Sequence, residues 1–221
     1  MMTPRFRLFE DTLSNAARLL LPARLPRMIF VVHGSVAIDG APFVDDRAWY
    51  GDGAAELVAG DTGVTCWRFE LSDDEAGSDL PQPKEGAISR QKLSASLSTL
   101  PAGELLMRGD SVAFPPGGCA FLHTHQGPGI RVLLEGGIRI DTHGGSTSYG
   151  PGGAWYETGS DPVFAQAAAD RPSRFIRVMI LPRALLGKSS IKYLREEDAA
   201  KPKVQQYKSF VDVPVEVPAR T

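Results

Sequence analysis

Gly117-Gly118-Cys119-Ala120-Phe121-Leu122-His123-Thr124-His125-Gln126-Gly127-Pro128-Gly129-Ile130-Arg131-Val132-Leu133-Leu134-Glu135-Gly136 carries two of the four histidines of this 221-residue chain. Residues i and i+2 of a β-strand point to the same face. Read as a strand, the segment presents the imidazoles of His123 and His125 to one side, where they can share a metal ion.

Outward from this stretch, short apolar runs are separated by turn formers. The 23 glycines and 17 prolines are spread between the runs, which predicts an all-β chain with many turns. Met28 to Gly40 reads as strand, glycine turn, strand, and Ile130 to Asp141 has the same shape. With Gly34 placed on Gly136, an offset of 102, Val36 meets Ile138, Ile38 meets Ile140 and Asp39 meets Asp141. A second match sets Tyr50-Gly51-Asp52-Gly53-Ala54-Ala55 on Tyr149-Gly150-Pro151-Gly152-Gly153-Ala154 at an offset of 99. The runs Val64 to Leu71 and Arg174 to Leu181 form a third, at an offset near 110. Three colinear matches point to two copies of one β unit.

The expected organisation is an N-terminal arm or short helix over 1–26, a first β unit over 27–79, a second over 80–182 and an extended C-terminal arm over 183–221. Phe9, Leu13, Ala16, Ala17 and Leu20 suggest the helix. The acidic, turn-rich stretch Ser72 to Lys84 reads as a surface linker. Ser89 to Leu100 reads as the strand that opens the second copy. Prolines in the C-terminal arm favour an edge strand over a central one.

Composition narrows the function classes. The net charge is −2 and no Lys/Arg run occurs, so nucleic acid is not an expected partner. The apolar runs are too short to cross a bilayer, and Met1 to Leu21 lacks a signal-peptide pattern. Cys66 and Cys119 form no CxxC pair, so neither a disulfide framework nor a zinc finger is expected. A cytoplasmic location follows as the expectation. Cys119 is expected to be a buried structural thiol, while His33 and His143 read as surface residues.

The spacing Gly117-x5-His123-x-His125-x3-Gly129-x6-Gly136 resembles the first motif of the cupin superfamily, Gly-x5-His-x-His-x3-4-Glu-x6-Gly. With the internal repeat, the chain looks like a small bicupin. That resemblance implies two jelly-roll β-barrels packed face to face, a homodimer, and a divalent transition metal (Fe, Mn, Zn or Ni) as cofactor. The chain departs from the pattern at two ligands. Gly129 stands where the family has glutamate, and Pro162 or Val163 stands where the second motif has histidine. In the first copy the histidine pair falls on Leu21-Pro22-Ala23, which implies a metal-free barrel.

Tight binding of a divalent transition ion generally takes three or four protein donors. Beside His123 and His125, the candidates are Glu157 and Gln126. Arg131 shares the strand parity of position 129 and is expected to face the barrel interior. A buried guanidinium needs an anionic partner. That partner is either Glu157 or the acid group of a small anionic metabolite, with Trp155 and Tyr156 as an aromatic wall. Two functions remain open on these residues. One is a metal-dependent dioxygenase or isomerase; the other is a non-catalytic ligand-sensing cupin without metal.

Overall fold

The computed structural model describes residues 3–72 and 85–217. Most of the expected linker, and with it the expected 79/80 boundary, lies outside the described residues. The chain divides into two compact units, one holding the described residues up to Ser98 together with Glu216 and Val217, the other spanning Thr99–Val215.

The first unit holds β1 (Arg5–Leu13), β2 (Arg18–Leu21), β3 (Arg27–Ile38), β4 (Ala41–Val44), β5 (Ala48–Gly51), β6 (Ala55–Ser72) and β7 (Ala87–Ser96). The second holds β8 (Leu105–Phe114), β9 (Cys119–His125), β10 (Gly129–Glu135), β11 (Ile138–Thr142), β12 (Gly145–Tyr149), β13 (Ala154–Glu157), β14 (Val163–Ala167), β15 (Ser173–Pro182), β16 (Ile191–Tyr193), a short helix α1 (Glu196–Ala200) and β17 (Gln206–Val215).

In the second unit two five-stranded sheets, β13-β10-β15-β8-β17 and β12-β11-β14-β9-β16, form a jelly roll. Apolar residues of both inner faces meet in one core, with Val112, Leu133 and Phe175 from the first sheet and Ala120, Ile140 and Val163 from the second. The first unit repeats this order with its long strands unbroken. β3 does the work of β10 and β11, β6 that of β14 and β15, and β5-β3-β6-β1-β7 corresponds to β13-β10-β15-β8-β17.

Gly34 and Gly136 mark the same corner in each unit. Both have positive φ, +91° and +83°, and a Cβ at either would lie 2.2 Å from a backbone oxygen of the facing corner. Glycine is required at both for close approach as well as for dihedral angle.

Strand pairing shifts part of the expected repeat. Arg27 pairs with Gly51, and Gly129 with Glu157. Ala48-Trp49-Tyr50 therefore corresponds to Ala154-Trp155-Tyr156, an offset of 106, and Tyr50 does not correspond to Tyr149. Leu21 lies opposite Ala55 in the first unit as His123 lies opposite Val163 in the second, so the metal-ligand slot of the first barrel does hold leucine.

The terminal segments also differ from expectation. Residues expected as an arm or helix form β1 and β2. β1 lies between β6 and β7 and is buried on both faces, so its sequence lacks the clean alternation of a half-buried strand. β7, expected to open the second copy, pairs with β1 in the first unit. The expected C-terminal arm supplies β16 and β17 to the second unit, and Pro214 sits on the edge strand β17.

Candidate functional site

Antiparallel pairing sets directly opposed residues on the same sheet face. Across β13, β10, β15, β8 and β17 one inward row reads Trp155, Arg131, Arg177, Asp110, Ser209. The row beside it reads Glu157, Gly129, Met179, Arg108, Asp212. These two rows place three arginines and three carboxylates inside one barrel. The charges pair off: Arg177 holds Asp110 through two hydrogen bonds of 2.9 and 2.7 Å, and Arg108 holds Asp212 through two of 3.0 Å. Arg131 Nη2 lies 2.7 Å from Glu157 Oε2, at ion-pair distance though not aligned as a hydrogen bond.

The loss of the carboxylate at position 129 has a steric basis. A Cβ on Gly129 would lie 2.5 Å from the Val178 carbonyl oxygen and 2.7 Å from the Met179 side chain. The Arg131 guanidinium folds back over the same spot and donates from Nη1 to the Gly129 carbonyl at 2.7 Å. Burial pulls the Arg131 pKa down to about 10, with Glu157 acting in the opposite direction, so the group stays cationic at neutral pH.

From the other sheet, β9 turns His123 and His125 into the same interior. Their Nε2 atoms are 3.2 Å apart. Phe121 O lies 2.6 Å from His123 Nδ1, and Ser190 Oγ lies 3.4 Å from His125 Nδ1. The carbonyl accepts a hydrogen bond from His123 Nδ1–H, and with the proton on Nδ1 the neutral imidazole keeps a lone pair on Nε2. A consistent hydrogen-bond chain then runs from the Ser190 hydroxyl to His125 Nδ1 and from His125 Nε2–H to His123 Nε2.

Both imidazoles are held below the ordinary histidine pKa. For His125 burial is the main cause, followed by the positive charges of Arg177 and Arg131. For His123 burial again leads, opposed by the Phe121 carbonyl and by Glu157. The unfolded chain therefore binds more protons than the folded one below about pH 6.5. Stability from this source is complete above about pH 6.5 and falls as pH drops towards the lowered folded values. Urea denaturation between about pH 7 and pH 5 should show a shallower loss of stability in His125→Gln than in the unaltered chain.

The residues do not make a good metal site. Two ligands each about 2.1 Å from one ion, at an angle of about 100°, lie about 3.2 Å apart, so the histidine pair alone has the right spacing. The third donor is missing. Glu157 Oε2 is 3.9 Å from His125 Nε2 and engaged by Arg131, while Oε1 accepts the Trp155 indole N–H at 2.9 Å. Among the described residues, no group of three His, Cys, Asp or Glu side chains is arranged to hold a metal ion. Two fixed guanidinium groups beside the imidazoles also oppose a divalent cation.

The other expected site residues divide clearly. Trp155 is a buried wall residue stacked on Tyr149 at 4.8 Å. Tyr156 alternates with Trp155 and lies opposite Ile130, on the sheet face turned away from the interior. Gln126 lines neither cavity described below; its backbone N–H donates to the Ser190 carbonyl at 3.2 Å. Cys119 is half-buried rather than buried, and His33 and His143 lie on the surface.

Two cavities adjoin the histidines. The inner one, about 20 Å³, is lined by His123, His125, Arg131, Trp155 and Glu157 and holds no more than a water-sized guest. Arg131 therefore faces no space that a metabolite would fill, and Glu157 is its partner. The outer cavity, about 380 Å³, is bounded by Arg108, Asp110, His125, Arg177, Lys188, Ser189, Ser190, Tyr207, Ser209 and Asp212. His125, Arg177, Ile191 and Tyr207 border both. Arg108 also donates to the carbonyls of Leu185 and Lys188 at 2.6 Å each, fixing the loop that carries Lys188 to Ser190. Arg177 and Asp110 carry no distinctive sequence signal, since their strands hold other charged residues, Arg108 on β8 and Arg174 on β15.

No family model matches the chain, and no curated protein matches it in sequence. Its likeness to solved structures lies in the fold. It matches AerE from Microcystis aeruginosa with a TM-score of 0.57 and 14% identity, over 78% of this chain and 87% of that one. It matches a deletion mutant of Bacillus subtilis oxalate decarboxylase OxdC with a TM-score of 0.59 and 14% identity, over 89% of this chain and 73% of that one. A further oxalate decarboxylase structure matches at a TM-score of 0.61 and 14% identity, with the same coverage. The chain has the cupin fold, in two jelly-roll units. No helix among the described residues is long and apolar enough to cross a membrane.

Proposed function

We propose that the second barrel of this cupin-fold chain binds a small anionic metabolite in the outer cavity, without a metal ion, as a ligand-sensing domain. The observation that carries this reading is the charge pattern of that cavity. Arg108 and Arg177 are neutralised by Asp212 and Asp110, which leaves the exposed Lys188 ammonium as the uncompensated charge on its wall. Ser189, Ser190, Tyr207 and Ser209, each with a hydroxyl, line the same cavity. A volume of about 380 Å³ lies at the small end of metabolite pockets. A monoanion with several hydroxyl or carbonyl groups matches this wall. His125, neutral and tied to Ser190, offers hydrogen bonding without added charge.

Calorimetric titration of the full chain with a panel of hydroxycarboxylates and sugar phosphates should find a saturable ligand. Lys188→Met should then weaken that ligand by about tenfold, the value of one charge-assisted hydrogen bond. Unchanged affinity in Lys188→Met, or turnover of the bound compound, would count against this reading. The 3.2 Å spacing of the imidazole nitrogens favours a second one, a metal-dependent enzyme using His123, His125 and Glu157. Elemental analysis of protein purified without chelator decides between the two. A near-stoichiometric transition metal, lost in His123→Ala, would establish the second.

A further inference from the structure

The first barrel repeats the polar rows of the second, but among the described residues its interior charges do not balance. Its inward rows carry Arg5, Arg7, Arg27 and Arg68 on β1, β3 and β6, with only Asp11 and Glu70 as interior carboxylates among the described residues. Arg68 is taken by Asp11 at 2.6 Å and Glu70 at 2.5 Å, and Arg27 lies 3.2 Å from Glu70 and donates to the carbonyl of Gly53. Asp11 and the Oε1 atom of Glu70 are thus committed to Arg68 and Arg27.

Arg7 is left over. It occupies the position of Arg108 in the second barrel, since Arg7 lies opposite Glu70 where Arg108 lies opposite Met179. Arg108 has Asp212 across the next strand, whereas Arg7 has Ser94 there. Arg7 is 3% exposed, and its Nε and Nη2 make no hydrogen bond. One row along the same face, Arg5 lies opposite Ser72, and Arg5 Nε and Ser72 Oγ are likewise buried without a partner. The four donor atoms belong to neighbouring positions on the inward face of β1 and β6 and are out of reach of bulk water, while Arg5 Nη1 donates to Ser94 Oγ at 3.2 Å. Beside them Glu70 Oε2 is an acceptor with no hydrogen bond. A cluster of unsatisfied buried donors carrying excess positive charge is costly to fold unless an anion completes it.

We infer that the first barrel is a second ligand site, specific for a small carboxylate that also carries a hydroxyl or ammonium group. The carboxylate accepts from Arg5, Arg7 and Ser72, in the forked geometry guanidinium groups favour. The ligand's own donor satisfies Glu70 Oε2. That neighbouring carboxylate disfavours a dianion such as phosphate, which brings two negative charges and offers few donors. Arg5, the half-buried member, is the side chain that turns aside to admit the ligand.

The test is calorimetric titration of the full chain with lactate, alanine, propionate, inorganic phosphate and chloride. Lactate or alanine should saturate at least tenfold more tightly than propionate, which lacks the donor for Glu70. Arg7→Gln should weaken that binding at least tenfold in a chain that already carries Lys188→Met, so that the cavity of the other barrel does not contribute to the loss. Ser72→Ala carries the same prediction with a smaller loss, and serves if Arg7→Gln does not fold. Binding of phosphate or chloride in preference, an adventitious ion only, would overturn the assignment. So would affinities unmoved by both variants, or a crystal structure grown with lactate that shows only water at the four donors.

Discussion

Glu157→Gln is expected to destabilise the second barrel by about 3–5 kcal/mol, the usual result of removing one partner from a buried ion pair. Arg131 is 1% exposed, and Glu157 Oε2, 2.7 Å away, is its charge partner. Glutamine keeps the shape and can still accept the Trp155 indole N–H, so the measured loss reports the charge. Arg131→Met inverts the experiment. It strands the Glu157 carboxylate beside two neutral imidazoles and removes the guanidinium that now holds it. That variant should be destabilised to a similar degree in chelator and should gain measurable zinc affinity, read as a zinc-dependent rise in the hydrogen-exchange protection of β9 and β10. The double replacement Arg131→Met/Glu157→Met should recover much of the loss, because an apolar pair of similar volume removes both desolvation costs. If Glu157→Gln is neutral, the pair is not the charge balance of this interior. If Arg131→Met gains no zinc affinity, Glu157 is not the third donor that the guanidinium withholds.

The same pair shows how far the site was legible in the sequence. His-Thr-His and its glycine frame pointed to the fold because glycine is demanded by backbone geometry, as at Gly34 and Gly136, where any Cβ would strike the facing corner. Arg131 was placed in the interior by parity alone, and its two possible partners, Glu157 or a ligand, could not be separated without distances. Residues that depend on lateral strand neighbours were out of reach. Arg177 and Asp110 are 67 positions apart and meet only through the pairing of β15 with β8. The repeat is only partly legible for a related reason. Gly-rich turns look alike and set Tyr50 on Tyr149, although Ala48-Trp49-Tyr50 and Ala154-Trp155-Tyr156 share both residue identity and strand position. β1 was hidden by its central place, since burial on both faces erases the period-2 pattern that marks a strand.

Asp11→Ala is expected to have the other large effect, about 3–5 kcal/mol in the first barrel. Asp11 and Arg68 are both fully buried, joined by hydrogen bonds of 2.6 and 3.1 Å, with Ser89 bridging to both. Burial alone would favour a neutral Arg68, but Asp11 and Glu70 outweigh it and hold the guanidinium firmly charged. Shedding a proton is therefore no escape for Arg68. Without Asp11, Glu70 is the one buried interior carboxylate left among the described residues to serve Arg27 and Arg68 together. The face of Phe9, 4.3 Å below the guanidinium, offers only a cation–π contact, about 1–2 kcal/mol at a desolvated site, and cannot replace a carboxylate. Because the chain has two units, one denaturation midpoint does not define either stability. Native-state hydrogen exchange resolves it: amides of β1 and β6 should lose protection by about two to four powers of ten in Asp11→Ala. Asp11→Asn should lose a similar amount despite its shape, since it removes the same charge. Protection unchanged in both variants would mean that the Arg68 charge is balanced by Glu70 alone, and that the excess positive charge inferred for this barrel is smaller than its residues indicate.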